Sequence, residues 1–477
     1  MSDSLKSKAA KGLLWSSFER FSVQGVQFLI MIIMARLLTP EDYGLIGMLT
    51  IFLAVAQSLI DSGFSQALIR KQDRTEIDNS TVFYFNIAVS LFLYILFFIL
   101  APYVADFYNI PELTSIMRVV SLGVVINSLG VVQRAQYTIN IDFKTQAKAS
   151  FTAVVFSGCV GMALAYTGSG AWALVIQQLL NLSINTVMLW YYSRWRPLLC
   201  YSWQSFHELF AFGSKLLLSG LLDTIYRNIY PIVIGKLFSA SSLGHYTRAH
   251  QFSEFPSSNI TGIIKRVTYP VLCSIQNDDE RLSNIYRRFL KLSAFVIFPM
   301  MTGLSAVSKP FISITIGSQW EICAVLLPII CFSMMWYPIH SINLNLLQVK
   351  GRSDLFLRLE IIKKLLGVLV ICITAPWGLV VMCYGSIVSS LIALVINTYY
   401  TGKLIHIGFF KQMRDLMPTL LLAFAMFILI RIINVYIDSL YLQLAIGIVS
   451  GIGFYLGCSF LFRFRELEEL ISLVRKK

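Results

Sequence analysis

Apolar runs of about 20 residues recur along the whole chain, and they restrict the fold more than any other feature. Residues 82–101, VFYFNIAVSLFLYILFFILA, form one such run without a single charge. About 20 apolar residues in a helix cross the roughly 30 Å hydrocarbon core of a bilayer. Barrel strands would instead alternate over segments of about 10 residues, and these runs do not alternate. The sequence therefore predicts an all-α integral membrane protein.

Composition agrees with this prediction. Charged residues make up 13% of the 477 positions, whereas soluble domains carry about 25%. The first apolar run contains Glu19 and Arg20 and lacks a small-residue cleavage site, so we interpret it as a membrane helix and not as a signal peptide. Fourteen helices are predicted, at residues 13–37, 43–63, 81–105, 114–134, 150–167, 171–192, 210–236, 246–265, 286–308, 322–345, 357–375, 377–400, 416–437 and 440–462.

Lysine and arginine are distributed unevenly between the two sides of these helices. Most of the 39 basic residues lie at the termini or in the even-numbered connections, whereas Lys236 and Lys309 lie at the odd-numbered ones. Connections rich in lysine and arginine stay in the cytoplasm. Both termini are therefore predicted to be cytoplasmic, and anionic lipids are the expected partners of the cytoplasmic connections.

The net charge of +14 does not indicate a nucleic-acid-binding protein, because the charge is spread over these connections. The eight cysteines form no CxxC pair, so neither a disulfide framework nor a zinc site is predicted. No cofactor motif is present, and no GxxxxGK[ST] stretch would bind a nucleotide. The last residues, 463–477, have apolar side chains at helical spacing and are expected to lie on the membrane surface.

One short segment occurs twice. Residues 34–44, MARLLTPEDYG, end the first helix, and residues 234–244, IGKLFSASSLG, end the seventh. Six helices separate them, and an even number preserves orientation, so two parallel repeats are predicted. The predicted division is an N-terminal lobe at 1–200, a C-terminal lobe at 201–400, and two further helices with a tail at 401–477. Transporters built from repeats place their site at the repeat interface.

Polar residues inside the apolar runs concentrate in the first two helices of each half. An ionisable residue in hydrocarbon costs at least about 2.5–3.5 kcal/mol, so it normally faces a cavity or a partner. The candidate substrate-binding residues share helix faces and are Arg20, Gln24, Gln27, Gln57, Asp61, Lys215, Ser219, Arg227, Arg248 and Gln251. Asp223 and Glu254 are the candidate ion-coupling residues, because each is a carboxylate near an arginine in the sequence.

Structural alternatives exist for several of these residues. Asp223 and Arg227 are four residues apart and could simply neutralise each other. Lys215 and Asp61 lie near the predicted cytoplasmic edge and could serve only as anchors. The sequence alone leaves these alternatives open.

Four stretches resemble one family. They are ARLLTPEDYGL at 35–45, DSGFSQALIRKQD at 61–73, RVTYPVLCSIQNDDERL at 266–282 and GSQWEICAVLLPI at 317–329. The chain is similar to Wzx-type polysaccharide and O-antigen flippases, in the colanic-acid exporter branch of the MOP (MATE-like) superfamily. The resemblance implies two six-helix lobes around a central cavity that the polar helices would line, with two additional C-terminal helices.

The resemblance also implies a function. The expected cargo is a lipid-linked oligosaccharide of the undecaprenyl-diphosphate type, moved from the cytoplasmic to the periplasmic leaflet of a bacterial inner membrane by ion-coupled alternating access. A proton or sodium ion would be the counter-ion, and glycan polymerase machinery is a further expected contact. A MATE-like drug antiporter is the alternative function. A membrane glycan polymerase or ligase is a remoter one, because the predicted outer connections are short and carry no catalytic motif.

Overall fold

The computed structural model describes residues 23–61 and 64–475, and within these ranges every regular element is helical. The all-α prediction is thereby confirmed. In chain order the α-helices are α1 (Val23–Leu37), α2 (Pro40–Asp61), α3 (Phe64–Arg70), α4 (Glu76–Tyr108), α5 (Leu113–Val120), α6 (Leu122–Ser128), α7 (Val131–Ile139), α8 (Phe143–Tyr166), α9 (Ala171–Tyr192), α10 (Trp203–Arg227), α11 (Ile229–Leu237), α12 (Ala240–Ser274), α13 (Asp279–Ala306), α14 (Ser308–Thr315), α15 (Glu321–Met334), α16 (Tyr337–Val349), α17 (Ser353–Thr374), α18 (Leu379–Ile405), α19 (Phe409–Val435), α20 (Leu440–Leu461) and α21 (Arg465–Arg475).

Ten stretches of the described chain are long and apolar enough to cross a membrane, so the protein is a multi-pass membrane protein. They are Pro40–Arg70, Glu76–Tyr108, Leu113–Ile139, Phe143–Tyr166, Ala171–Tyr192, Asp279–Ala306, Ser318–Val349, Leu379–Ile405, Phe409–Val435 and Leu440–Leu461. The total of fourteen crossings stays a prediction. The described part of the first helix, α1, is shorter, and α10–α11, α12 and α17 do not meet the same criteria.

The predicted spans at α10–α11, α12 and α17 are helical but unusually polar. The stretch α10–α11 and the helix α12 carry the polar faces identified in the sequence, and α17 carries five charged residues, Asp354, Arg358, Glu360, Lys363 and Lys364. In α17, Lys363 donates a hydrogen bond to Glu360 one turn earlier. Helices this polar enter a membrane only where their charged faces meet protein or water.

Several predicted spans are interrupted, among them 322–345, which breaks at residues 335–336 between α15 and α16. The span predicted at 114–134 consists of α5, α6 and α7, and the span predicted at 210–236 breaks at Asn228 between α10 and α11. The Asn228 side chain donates from Nδ2 to the Thr224 carbonyl at 2.8 Å. A side-chain amide that binds a helix carbonyl competes with the backbone and favours a break. Hydropathy does not reveal the breaks in the span at 114–134, because the apolar run continues across them, whereas polar residues surround the break at Asn228.

By their internal contacts, the residues form two compact units, Met1–Gly244 and His245–Lys477, called unit 1 and unit 2. Unit 1 takes in α10 and α11, because both pack against α2 and α4. This division rests on contacts and does not test a division into repeats. The predicted lobes 1–200 and 201–400 and the C-terminal segment 401–477 therefore stay predictions.

Each unit has its own core. In unit 1, α8 packs along α9, and α4 packs on α5 and α6. In unit 2, α13 is the central helix and packs on α15, α16 and α19. Trp336 is buried against Phe298 in unit 2, with ring centroids 5.2 Å apart. Tyr455 of α20 donates to the Phe295 carbonyl of α13 at 2.9 Å. The Tyr455 hydrogen bond fixes α20, the last predicted span, on the core of unit 2.

The repeated segment forms the same helix start in both places. The Asp42 backbone N–H donates to Thr39 Oγ1 at 3.3 Å, and the Thr39 N–H donates to Asp42 Oδ2 at 2.8 Å. Two hundred residues later, the Ser242 N–H donates to Ser239 Oγ at 3.1 Å. Side chains that accept from the first turn stabilise a helix N-terminus by about 1 kcal/mol. The two copies therefore encode the same N-terminal cap, at α2 and at α12.

The glycines that end the two copies explain why the segment is repeated. A Cβ built on Gly44 would lie 1.7 Å from the carbonyl oxygen of Ala240, and one built on Gly244 would lie 1.8 Å from that of Pro40. The contact is reciprocal, because each glycine meets the first residue of the other helix. The starts of α2 and α12 thus pack backbone to backbone, and only glycine permits this approach.

We expect Gly44→Ala to destabilise the protein, because the added methyl group collides with the Ala240 backbone and not with a flexible side chain. Overpacking of this kind typically costs about 1–3 kcal/mol. Thermal unfolding of the purified protein in detergent should show a lowered melting temperature. Gly220→Ala in α10 is the matched control, because a Cβ there meets nothing within 4 Å. Equal melting temperatures for the two variants would contradict this packing.

Candidate functional site

The candidate residues of the first two helices are only partly described. Arg20 lies outside the described residues, and the side chains of Asp61, Lys215 and Ser219 lie outside them as well. Gln27 is exposed on α1. Gln24, three residues earlier, is partly buried, and its Oε1 accepts no hydrogen bond from a described residue. An amide oxygen in this state can accept a hydrogen bond from a hydroxyl-bearing ligand.

Gln57 belongs to a hydrogen-bonded relay that crosses three helices. Asn127 of α6 donates from Nδ2 to Gln57 Oε1 on α2 at 2.8 Å. Arg134 of α7 donates from one guanidinium nitrogen to Asn127 Oδ1 at 2.7 Å. Arg134 is the last residue of the span predicted at 114–134, and its guanidinium group points into unit 1. The relay orients the Gln57 amide and connects it with a cation that the sequence pattern did not select.

The polar faces of α2 and α10 meet inside unit 1. Ser58, next to Gln57, lies 2.7 Å from the hydroxyl of Thr224. Thr224 follows Asp223, and the Asp223 carboxylate accepts from Arg227 Nε at 2.7 Å. The structure therefore brings α2 and α10 into contact one residue away from Gln57 and from Asp223.

The Asp223–Arg227 pair is open to its surroundings. The two side chains keep 45% and 64% of their surface exposed, so the ion pair is not packed into the core of unit 1. The break at Asn228 follows directly. An exposed guanidinium group can exchange its carboxylate partner for another anion at little cost. Asp223 and Arg227 thus do form the ion pair in which they neutralise each other. Because the pair is exposed, it is also compatible with a role of Arg227 in binding another anion.

The candidates on α12 divide into a buried and an exposed group. Arg248 is buried and donates to Gln251 Oε1 at 2.6 Å. Glu254 is exposed, and its carboxylate lies 3.6 Å from Nδ1 of His250, one helical turn earlier. We selected Glu254 because an arginine lies nearby in the sequence. Its neighbour in unit 2 is a histidine, because α12 places residues four apart on one face.

A charge network that the sequence analysis missed closes one end of unit 1. Lys71, after α3, donates to Asp78 at 3.3 Å and to Glu208 of α10 at 3.0 Å. Burial works to lower the pKa of Lys71, but hydrogen bonds to the two carboxylates outweigh it and hold the pKa above its usual value. In the sequence, the basic residues of this region indicate only the topology. This network instead attaches the start of α10 to the α3–α4 connection.

Unit 2 contains a corresponding buried ion pair. Arg287 of α13 donates to both carboxylate oxygens of Asp415 on α19, at 2.6 and 2.7 Å. Lys291 lies 3.5 Å from the same carboxylate, whose side chain is only 4% exposed. The partners are more than 120 residues apart in the chain, so no local pattern could have paired them. Because Asp415 is buried where α13 packs against α19, its charge needs these cations.

The described residues contain no group of three or more His, Cys, Asp or Glu side chains placed to hold a metal ion. The cysteines described are all free thiols. The chemistry that the described side chains offer is hydrogen bonding and charge, from guanidinium, amide, hydroxyl and carboxylate groups.

Comparison with known proteins identifies the family. A family model described as polysaccharide biosynthesis protein matches residues 33–325, which is more than half of the chain. The chain belongs to this family. The match includes the repeated segment, the Gln57 relay and the whole of α10 to α12.

Individual proteins are similar to this chain over most of their length. The teichuronic acid biosynthesis protein TuaB of Bacillus subtilis is 26% identical, with 95% of each chain covered. The lipopolysaccharide biosynthesis protein WzxC of Escherichia coli is 24% identical, with 83% of this chain and 80% of WzxC covered.

Solved structures show the same fold. The lipid II flippase MurJ, in an inward closed conformation, has a TM-score of 0.78 at 15% identity, covering 94% of this chain and 99% of MurJ. An inward-facing MATE family transporter of the MOP superfamily has a TM-score of 0.62 at 17% identity, covering 82% and 98%. The family model confirms the resemblance to polysaccharide biosynthesis proteins, and the solved structures confirm the fold that the resemblance implies.

The two arginine–aspartate pairs of this family member should respond differently to mutation. Asp223→Asn should change the free energy of unfolding by less than about 1 kcal/mol, because its ion pair is exposed. Asp415→Asn should lower the free energy of unfolding by about 3–5 kcal/mol, because it leaves two cations beside a buried neutral amide. Unfolding in mixed detergent and SDS micelles measures both. A cost at Asp223 as large as that at Asp415 would show that the exposed pair is structural.

Proposed function

We propose that the protein flips a lipid-linked oligosaccharide, of the undecaprenyl-diphosphate type, from the cytoplasmic to the periplasmic leaflet of a bacterial inner membrane. Its membership of the polysaccharide biosynthesis family carries the proposal. The names of TuaB and WzxC connect similar chains with cell-surface glycans, and MurJ, with the same fold, is a lipid II flippase. The product would enter polysaccharide biosynthesis, where glycan polymerase machinery is the expected contact.

The cargo would bind to the polar faces of the first two helices of each half. A diphosphate drawn out of water needs donors of matching charge, and arginine supplies a planar fork of them. We assign this role to the arginines and the lysine, and we assign contacts with sugar hydroxyls to the neutral residues. The complete set is Arg20, Gln24, Gln27, Gln57, Asp61, Lys215, Ser219, Arg227, Arg248 and Gln251. The exposed guanidinium of Arg227 and the relay to Gln57 support it.

The same proposal includes the orientation. Both termini face the cytoplasm, because the basic connections are concentrated on that side, and these connections meet anionic lipids. A MATE-like drug antiporter is the main alternative, because the fold is shared with a MATE family transporter. Proteoliposomes offered both a fluorescent lipid-linked oligosaccharide and a cationic dye separate the two functions. Movement of the dye alone would favour the antiporter.

Replacement of an arginine that we propose to bind cargo should slow flipping. We expect Arg227→Gln and Arg248→Gln each to reduce the initial rate in proteoliposomes at least about tenfold, which corresponds to the loss of one charge-assisted hydrogen bond. Lysine at either position should restore the rate only in part, because the bidentate fork is lost. The amount of reconstituted protein should stay the same.

Arg431→Gln is the matched control for these variants. Arg431 lies on α19 with its guanidinium carbon 5.6 Å from the centre of the Phe427 ring, and we predict that it lies near an outer membrane edge. The control should flip cargo at the wild-type rate. Wild-type rates in both Arg227→Gln and Arg248→Gln would refute the role of these arginines.

Net movement to one leaflet needs an energy source, and the chain carries no nucleotide-binding motif. We propose coupling to a proton gradient through Asp223 and Glu254. In this hypothesis, cargo diphosphate displaces the Asp223 carboxylate from Arg227. The released carboxylate then loses its stabilising cation and takes up a proton more readily. Release of cargo outside restores the ion pair and favours the return step.

The coupling hypothesis predicts that Asp223→Asn abolishes the pH dependence of accumulation against a gradient, because the residue can no longer exchange a proton. Glu254→Gln should weaken the dependence as well. Asp438→Asn, on the connection between α19 and α20, is the control and should behave as wild type. Unchanged pH dependence in both test variants would exclude proton coupling through these residues, and sodium coupling or mass action would then explain net movement.

A further inference from the structure

A polar cleft in unit 1 lies apart from the proposed cargo residues. Its volume is about 410 Å³, and it lies where the start of α4, the end of α7 and the segment after α9 meet. The charge distribution places these three ends on the cytoplasmic side. None of the cargo residues proposed above lines this cleft.

Two arginines give the cleft a positive charge. Arg194, after α9, is exposed and makes no hydrogen bond to any described residue. Arg74, before α4, donates from one nitrogen to the Lys71 carbonyl at 2.8 Å. Glu76 is the single acid among the lining residues, and its Oε2 already accepts from Trp195 Nε1 at 2.5 Å. The arginines therefore outnumber the acid, and an anionic group is the favoured ligand.

A buried amide indicates which kind of anionic ligand fits the cleft. Asn79 lines the cleft, is only 5% exposed, and donates weakly to Glu76 at 3.5 Å. Its Oδ1 is buried and accepts no hydrogen bond from a described residue. A phosphodiester carries no proton to donate to this oxygen, so the group attached to the phosphodiester has to supply the donor. A hydroxyl group can donate to it, and the amides of Gln136 and Asn140 line the same cleft.

The segment next to the cleft has the character of a membrane-interface anchor. It runs from Arg194 to the start of α10, and its Leu199 side chain is 98% exposed. Tyr201 and Trp203 are also exposed, at 45% and 65%. Aromatic residues of this kind concentrate at the level of lipid headgroups, and an exposed leucine beside them can enter the acyl region. A ligand in the cleft would thus have lipid chains beside it.

We infer that this cleft binds the headgroup of an anionic phospholipid of the cytoplasmic leaflet whose phosphodiester carries a hydroxylated group, as in phosphatidylglycerol. Arg194 and Arg74 bind the phosphodiester, and the Asn79 amide oxygen accepts from a headgroup hydroxyl. The lipid is a resident ligand of unit 1 and is not the transported cargo. The inference does not depend on the proposed flipping activity, because lipid binding is measured without transport.

Native mass spectrometry of the purified, delipidated full-length protein tests this inference. The probes are dioctanoyl forms of phosphatidylglycerol, phosphatidic acid and phosphatidylethanolamine, together with sodium phosphate. Wild type should bind phosphatidylglycerol more tightly than either of the other lipids. Arg194→Gln should weaken that binding by about tenfold, because one charge-assisted contact is lost. This variant should fold normally, since the Arg194 side chain holds no other residue in place.

Two further variants make the test specific. Arg266→Gln removes an exposed cytoplasmic arginine from unit 2 and should leave phosphatidylglycerol binding unchanged. Asn79→Ala should weaken phosphatidylglycerol binding relative to wild type, because the acceptor for the headgroup hydroxyl is lost. Equal binding of phosphatidylglycerol and phosphatidylethanolamine, or wild-type binding by Arg194→Gln, would overturn the inference. Competition by sodium phosphate at the same concentration would overturn it too, because the cleft would then be a site for free anions.

Discussion

A polypeptide inside hydrocarbon finds no water, so its backbone has to satisfy its own hydrogen bonds. The helical architecture of the described chain follows from this requirement, and the helix ends show it most clearly. Thr39 and Ser239 cap α2 and α12 in the same way at the two copies of the repeated segment. Where the seventh predicted span breaks, the Asn228 side chain takes up a helix carbonyl. The breaks and turns are thus stabilised by side chains placed at them.

The same requirement extends to polar side chains and separates two kinds of ion pair. The Asp415 carboxylate is buried between two basic residues of α13, so its pair holds helices together. The Asp223–Arg227 pair has similar chemistry but is exposed on a helix that is too polar to count among the apolar spans. Polar groups without tight packing can exchange partners. This difference makes α10, and not α13, the helix on which we place cargo binding.

Two positively charged surfaces of unit 1 are proposed to serve different ligands. A carrier has to release its cargo, so an arginine that already has an exposed carboxylate partner suits transient binding. The cleft at Arg194 has no such competing partner at that arginine, and it adjoins exposed apolar and aromatic side chains. A lipid that stays in its leaflet suits this surface, because its chains remain in the bilayer while its headgroup is bound.

The sequence by itself determined the membrane class, the approximate helix positions and the repeated segment, because each depends on residues close together in the chain. Hydrocarbon requires about 20 consecutive apolar residues, and an N-terminal cap involves residues three apart. The tertiary structure alone decided that Gln57 meets Asn127 and that Arg287 meets Asp415, 70 and 128 residues apart. It also decided that Gly44 of α2 contacts the start of α12 and that Gly244 of α12 contacts the start of α2. Such contacts depend on how helices cross, and the crossing is set by the packing of whole helices and not by any local run of residues.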